Sequence, residues 1–294
     1  PKPSGTYRVL CLGDEAVLAA EVEELHTFCA RLEALLQTRT PLKVEVINAG
    51  VPGYCPLLSY LQVRHRLVAL QPDLIILNVA MSDVADDRRY RRLTRMDQGV
   101  PLACPHPELH VSESPLFLAD QFLLLRWAQC RAADLSLEDL PEDRSDIDAP
   151  AGMSAWLRDD PPDWTVHIEQ ALSPIGPLQQ LADGVYARFF VSVVPAPWQV
   201  SPAASSGPGV RSAAGVPDGV VYRSRRPFEL IGGELAERQV PFCDPSPSFA
   251  RVERPERLYL QNAAALSQHG HELYARELAN FILRHIPGAW SLER

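Results

Sequence analysis

The sequence predicts an α/β protein: a three-layer sandwich whose middle layer is a five-stranded parallel sheet. Short apolar runs of strand length alternate with stretches of helical periodicity over most of the 294 residues. One of these runs, Asp73-Leu-Ile-Ile-Leu-Asn-Val79, is almost unbroken, as a parallel strand covered on both faces should be. Five such strands alternating with helices leave helices on both sides of the sheet.

Residues 7–12 read as the first strand and residues 16–37 as a helix, its apolar face running through Val22, Leu25, Phe28, Leu32 and Leu35-Leu36. Gly13-Asp14-Glu15 forms the turn between them. Residues 43–47 are a second strand, closed by Asn48-Ala-Gly-Val-Pro-Gly53-Tyr54, where two glycines and a proline call for special backbone angles. A helix over about 57–70, a strand over 73–79 and a loop over 81–87 follow. The basic run Arg88 to Arg92 reads as a solvated face. Residues 115–131 look helical, and 134–163 form an acidic, proline-bearing insertion. Residues 166–186 predict a helix and 187–194 the fourth strand, followed by a carboxyl-end loop carrying Trp198 and Gln199. Residues 201–219, rich in Ser, Ala, Gly and Pro, read as a long loop. A short helix over 227–237, a fifth strand over 240–243 and a terminal helix over 269–285 complete the chain. The whole is expected to be one domain, residues 1–294, with insertions at about 88–165 and 199–225.

Composition narrows the function. A net charge of -9 lacks the basic footprint that nucleic acid or an anionic membrane surface requires, so the expected partner is a small molecule. No apolar run is long enough to span a bilayer. The chain starts at Pro1 rather than Met, leaving room for an anchor or export signal upstream. Six cysteines without a C-x-x-C pair predict mostly buried thiols, with neither a zinc site nor a disulfide scaffold indicated. No cofactor motif is present.

In an open α/β sheet, ligands bind beyond the carboxyl ends of the strands, which puts the Gly13-Asp14-Glu15 turn at the mouth of a site. Three later stretches join it: the Asn48–Tyr54 turn, Asn78-Val-Ala-Met-Ser82-Asp83-Val84, and Gln261-Asn262-Ala-Ala-Ala265-Leu-Ser-Gln-His269-Gly-His271. Taken in this order, the four stretches resemble the blocks of the SGNH or GDSL hydrolases. The resemblance implies a flavodoxin-like sheet carrying an esterase-type pocket, where a hydroxyl nucleophile, an imidazole base, an orienting carboxylate and oxyanion donors perform acyl transfer.

The departures from that pattern concern the chemistry itself. Glu15 stands where the family's serine nucleophile stands. The positions of its Asp-x-x-His pair are taken by Asn262 and Ala265, and its Asn donor by Ser82; Gly53 matches the glycine donor of the oxyanion hole. Losing nucleophile, base and orienting acid together removes a unit that acts as one. The expectation is a degenerate centre, a pseudo-esterase that keeps a pocket for an acyl, acetyl or carbohydrate ligand. Glu15 is expected either to cap the helix that follows or to fold into the vacant oxyanion hole, accepting from the Gly53 N–H and the Ser82 hydroxyl. The alternatives are an active hydrolase with relocated residues, Glu15 or His269 among them, and an interaction module built on the acidic insertion. Asp14, Asp83 and Trp198 are further pocket candidates. Asp83, Asp86 and Asp87 together could hold a hard cation, although clustered loop aspartates are more often solvated or used as caps.

Overall fold

The computed structural model describes residues 2–105, 154–286 and 290. Five parallel strands form the central sheet: β1 (Thr6–Leu12), β2 (Lys43–Asn48), β3 (Leu74–Ala80), β6 (Arg188–Val194) and β7 (Phe242–Cys243). Between β3 and β6 the chain makes a small antiparallel hairpin, β4 (Arg95–Asp97) and β5 (Val100–Ala103). The sheet order is β2-β1-β3-β6-β7, the doubly wound arrangement of flavodoxin-like folds. The α/β class and the five-stranded parallel sheet expected from the sequence are therefore borne out.

Alternation along each strand divides the core in two. Val9, Cys11, Ile76 and Phe190 face the side covered by α2 (Phe28–Gln37) and the terminal helix Gln268–His285. Leu10, Leu12, Ile75, Leu77 and Val191 face α3 (Pro56–His65) and the helices Thr165–Leu172, Ile175–Gly184 and Arg226–Glu237. The edge strand β2 is shielded by its neighbour helix: Gln37 Oε1 accepts from Val44 N at 2.9 Å and Glu33 Oε2 from Val46 N at 2.8 Å. Those side chains occupy donors that would otherwise template another strand. Inside the sheet, the Tyr274 hydroxyl donates to Asn78 Oδ1 at 2.7 Å and lies 2.9 Å from Ser192 Oγ, while Asn78 Nδ2 donates to Leu12 O at 2.9 Å.

Several elements differ from expectation, each for a local reason. The helix over 16–37 is broken. A single turn, α1 (Glu15–Leu18), ends at Ala19 in a left-handed conformation (φ 56°), and Thr27 starts α2 afresh by accepting from Ala30 N at 3.3 Å. The expected loop over 81–87 instead opens a helix, α4 (Asp83–Arg91), whose first-turn Asp83 and Asp86 suit a helix N-terminus. Within the basic run Arg91 is not simply solvated: it forms an ion pair with buried Asp87 at 2.6 Å. The helix expected over 166–186 is two helices, parted at Ser173-Pro174, because proline brings no N–H to continue the ladder. Residues 201–219 are held around the buried Arg211 guanidinium, which donates to Ala204 O, Ser201 O and Val220 O; they include the helical turn Val210–Ala213. The helix expected over 115–131, most of the acidic stretch 134–163, Trp127 and Cys130 lie outside the described residues. Among the described residues, no helix is long and apolar enough to cross a membrane.

Candidate active-site cleft

The carboxyl ends of β1 and β3 and the segments that follow β6 surround a cleft of about 280 Å³. Its floor and walls include Asp14, Glu15, Met81, Ser82, Trp198, Tyr259 and Ala265. Gly13 permits the turn at its mouth: its φ is 148°, and a Cβ there would fall 2.5 Å from Val17 Cγ2 and 2.7 Å from Asn78 O. Gly53, with φ 69°, shapes the second turn in the same left-handed way.

Asp14 caps the one-turn helix α1, its Oδ1 accepting from Ala16 N at 2.9 Å. The neighbouring Glu15 is exposed, yet its Oε2 accepts from Gly53 N at 2.9 Å. One half of the expected contact is thus present. The other half is not, because the Ser82 hydroxyl turns to Asp14 Oδ2 instead, at 3.5 Å. That distance is too long for a well-formed O–H···O bond.

A group of carboxyls gathers behind Glu15. Burial, and then the charge of Glu15, push Asp14 up to about 7. Asp86 is raised to about 7 by the same two causes, again with burial the larger. Asp83 is only 2% exposed and is pushed well up by burial and then by Asp14; its Oδ2 accepts from Ala80 N at 3.2 Å while its Oδ1 has no partner. Asp87 belongs instead to Arg91. No group of three or more His, Cys, Asp or Glu side chains among the described residues is arranged to hold a metal ion. The hard-cation arrangement considered for Asp83, Asp86 and Asp87 is not formed, because the loop that would have wrapped an ion is a helix.

The fourth stretch arrives as a turn before the terminal helix, pinned by the Tyr259–Leu266 bridge and by Leu260 N donating to Ala265 O at 2.9 Å. Ala265 lines the cleft together with Glu15 and Ser82. Asn262 does not line it; exposed, it packs against Gly207, where no Cβ would fit. His269 is exposed at the start of the terminal helix and is likewise not part of the lining. His271 is buried and stacked on Phe28 with ring centroids 6.0 Å apart, and burial holds it down to about 4. Among the described residues, no histidine lines the cleft.

Trp198 is buried in the cleft wall and its indole N–H has no acceptor. Trp156 packs elsewhere and donates to Met81 O at 3.1 Å, and Trp164 lies under the Arg88 guanidinium. Sequence reasoning missed Ser154, Tyr259 and the alanine-rich rim at Ala213, Ala214 and Ala264, all of which line the cleft. Small residues carry no chemical signature; the proximity of residues 210–214 to the site follows from the Arg211 anchor.

No protein-family model matches the chain, and no curated protein matches it. Solved structures do. A lipase/acylhydrolase from Enterococcus faecalis superposes with a TM-score of 0.50 at 11% identity, covering 94% of this chain and 95% of its own. An acetylxylan esterase from Geobacillus stearothermophilus gives 0.49 at 13% identity, over 98% and 97% of the two chains. A putative lipolytic protein of the G-D-S-L family from Desulfitobacterium hafniense gives 0.46 at 11% identity, over 93% and 98%. The chain shares the fold of the Enterococcus faecalis lipase/acylhydrolase.

Proposed function

We propose that this chain is a pseudo-esterase: a binding protein that holds an acyl, acetyl or carbohydrate ligand in the cleft without cleaving it. The observation that carries this reading is the Glu15 carboxylate on the Gly53 N–H, 2.9 Å away. In the hydrolases this fold resembles, the glycine N–H would stabilise an oxyanion. Here it meets a carboxylate that is no nucleophile for ordinary esters at neutral pH and that opposes a second negative charge at the same donor. Among the described residues the cleft is lined by no imidazole that could serve a hydroxyl as a general base of the family's type.

A second reading, a hydrolase with relocated residues, draws on the Ser82 hydroxyl facing Asp14. It lacks a group that would orient the pair.

The test is restoration. Unaltered protein is expected to leave p-nitrophenyl acetate and acetylated xylo-oligosaccharides at background rates. Installing Glu15→Ser with Asn262→Asp and Ala265→His should produce esterase turnover well above the parent. Turnover by the parent that disappears on Glu15→Ala would overturn the proposal in favour of an enzyme. A folded triple variant without activity would remove the positional correspondence on which the proposal stands.

A further inference from the structure

The contact that occupies the Gly53 donor is weakly held, and the groups behind it can undo it. Glu15 is exposed, so its bond to Gly53 N–H competes with water. Three aspartates approach the same corner from two elements. Asp14, 3% exposed, comes from the turn after β1; its Oδ1 accepts from Ala16 N at 2.9 Å, and the Ser82 hydroxyl lies 3.5 Å from its Oδ2. Asp83 and Asp86 come from the first turn of α4. Asp83 is 2% exposed, and its Oδ1 has no partner. A negative charge on these poorly solvated groups repels the Glu15 carboxylate with little screening by water or salt.

The other titratable or charged groups facing this corner, among the described residues, do little to neutralise it. On α4, Arg89 offsets part of Asp86, while Arg91 is engaged by Asp87. Tyr90, whose hydroxyl would lie 3.3 Å from a Cβ on Gly53, and Cys55, just before α3, are both raised from their ordinary values and so stay uncharged near neutrality. Across the cleft, Tyr259 is pushed well up by burial and donates to Pro195 O. Asp14 and Asp86 are each raised to about 7, by burial first and by Glu15 second. Asp83 is pushed well up by burial and then by Asp14. Asp14 and Asp86 therefore add no charge in mild acid and two charges above neutrality.

We propose that the Glu15–Gly53 contact is a proton-controlled latch, closed while Asp14 and Asp86 are neutral and opened by their repulsion of Glu15 once they ionise, leaving the Gly53 N–H free. The latch rests on the reading of Glu15 as the group that occupies this donor in a pseudo-esterase, and it adds a condition under which the donor is released.

Hydrogen exchange at the assigned Gly53 amide of the full chain, corrected for the intrinsic pH dependence of exchange, tests it. At about pH 5.5 the amide should be protected on the order of threefold to tenfold more than in Glu15→Ala, and at about pH 8.5 the two proteins should coincide. Asp14→Asn with Asp86→Asn removes the new charges and should keep Gly53 protected at both pH values. Glu15→Gln, an acceptor without charge, should do the same and decides the matter if the double variant does not fold. Protection in the unaltered protein that persists at pH 8.5 would overturn the latch and leave the pseudo-esterase reading standing. Loss of protection at pH 8.5 in either variant would overturn it too, because the release would not come from repulsion between these carboxylates. Protection at pH 5.5 no greater than in Glu15→Ala would remove the contact itself, and with it both the latch and the observation that carries the reading. Ester turnover by the unaltered protein would remove the non-cleaving reading alone, and the exchange data would still judge the latch.

Discussion

Two groups of buried polar side chains sit on the same strands, and they are built on opposite principles. Within the sheet, Tyr274, Asn78 and Ser192 satisfy one another: hydroxyl to amide oxygen at 2.7 Å, amide nitrogen to Leu12 O at 2.9 Å, Ser192 Oγ to Cys243 O at 3.3 Å. At the carboxyl ends of those strands, Asp14, Asp83 and Asp86 crowd like charges together, with one oxygen of Asp83 left without a partner. A satisfied polar network contributes to stability and fixes a unique packing. An unsatisfied carboxyl cluster costs stability, and such clusters gather at functional sites.

The contrast breaks most visibly at Asn78. Asn78→Ala removes the acceptor of Tyr274 and the donor to Leu12 O in one step, at a site only 1% exposed. A loss of about 3 kcal/mol is expected, from a Leu12 carbonyl without its amide donor, a Tyr274 hydroxyl left with Ser192 alone, and a small cavity. Urea unfolding with an unchanged m-value would measure it; a loss below ~1 kcal/mol would mean that the network is not worth what its geometry implies.

Asp14→Asn tests the other side, and its sign is opposite. Folding raises the Asp14 pKa from 3.8 to about 7, so the folded chain keeps a proton that the unfolded chain releases above pH 4. Its contribution to stability is therefore whole below about pH 4, is lost as pH rises through about 7, and is flat above. Asparagine keeps an oxygen for Ala16 N and never ionises. Because the buried amide is also desolvated, the variant should be somewhat less stable than the parent near pH 4, and it should exceed the parent by roughly 2 kcal/mol at pH 8. Parallel melting curves at the two pH values give the result, and a variant less stable at pH 8 would show that the carboxyl is not a liability.

The same division explains what was legible in the sequence. Strands such as Leu74–Ala80 and the terminal helix Gln268–His285 were readable because burial on two faces or on one stripe imposes a period on the residues. The Gly13-Asp14-Glu15 turn and the Ala265 segment were readable as positions, since turn glycines and a Leu-Ser-x-x-Gly-His run mark them. The Glu15–Gly53 contact was legible as one of two alternatives; the partner of Ser82 was not. That the Ser82 hydroxyl would turn to Asp14 depends on rotamers and on α4 starting at Asp83, where an aspartate-rich, strongly polar stretch gave no apolar period to reveal a helix. The alanine rim and the Arg211 anchor escaped for a related reason: carbonyl oxygens carry no residue identity, so a guanidinium that binds only backbone leaves no trace in the pattern.

The smallest effect is expected at Glu15 itself, and its smallness discriminates. The side chain is exposed, so its bond to Gly53 N–H competes with water, and truncating it should cost no more than ~1 kcal/mol. Removing its charge also relieves Asp14 and Asp86, both of which it pushes upward, and this offsets part of the lost bond. Glu15→Ala is therefore expected to lie within about 1 kcal/mol of the parent at pH 8, and Glu15→Gln, which keeps the acceptor and drops the charge, to be equal to the parent or slightly more stable. Denaturant midpoints for the two variants separate a group retained for packing from one retained for the site. A loss well above 1 kcal/mol in Glu15→Gln would make the Glu15 charge a structural element. Near-neutral values in both variants would show that stability is not the reason a carboxylate stands at that turn.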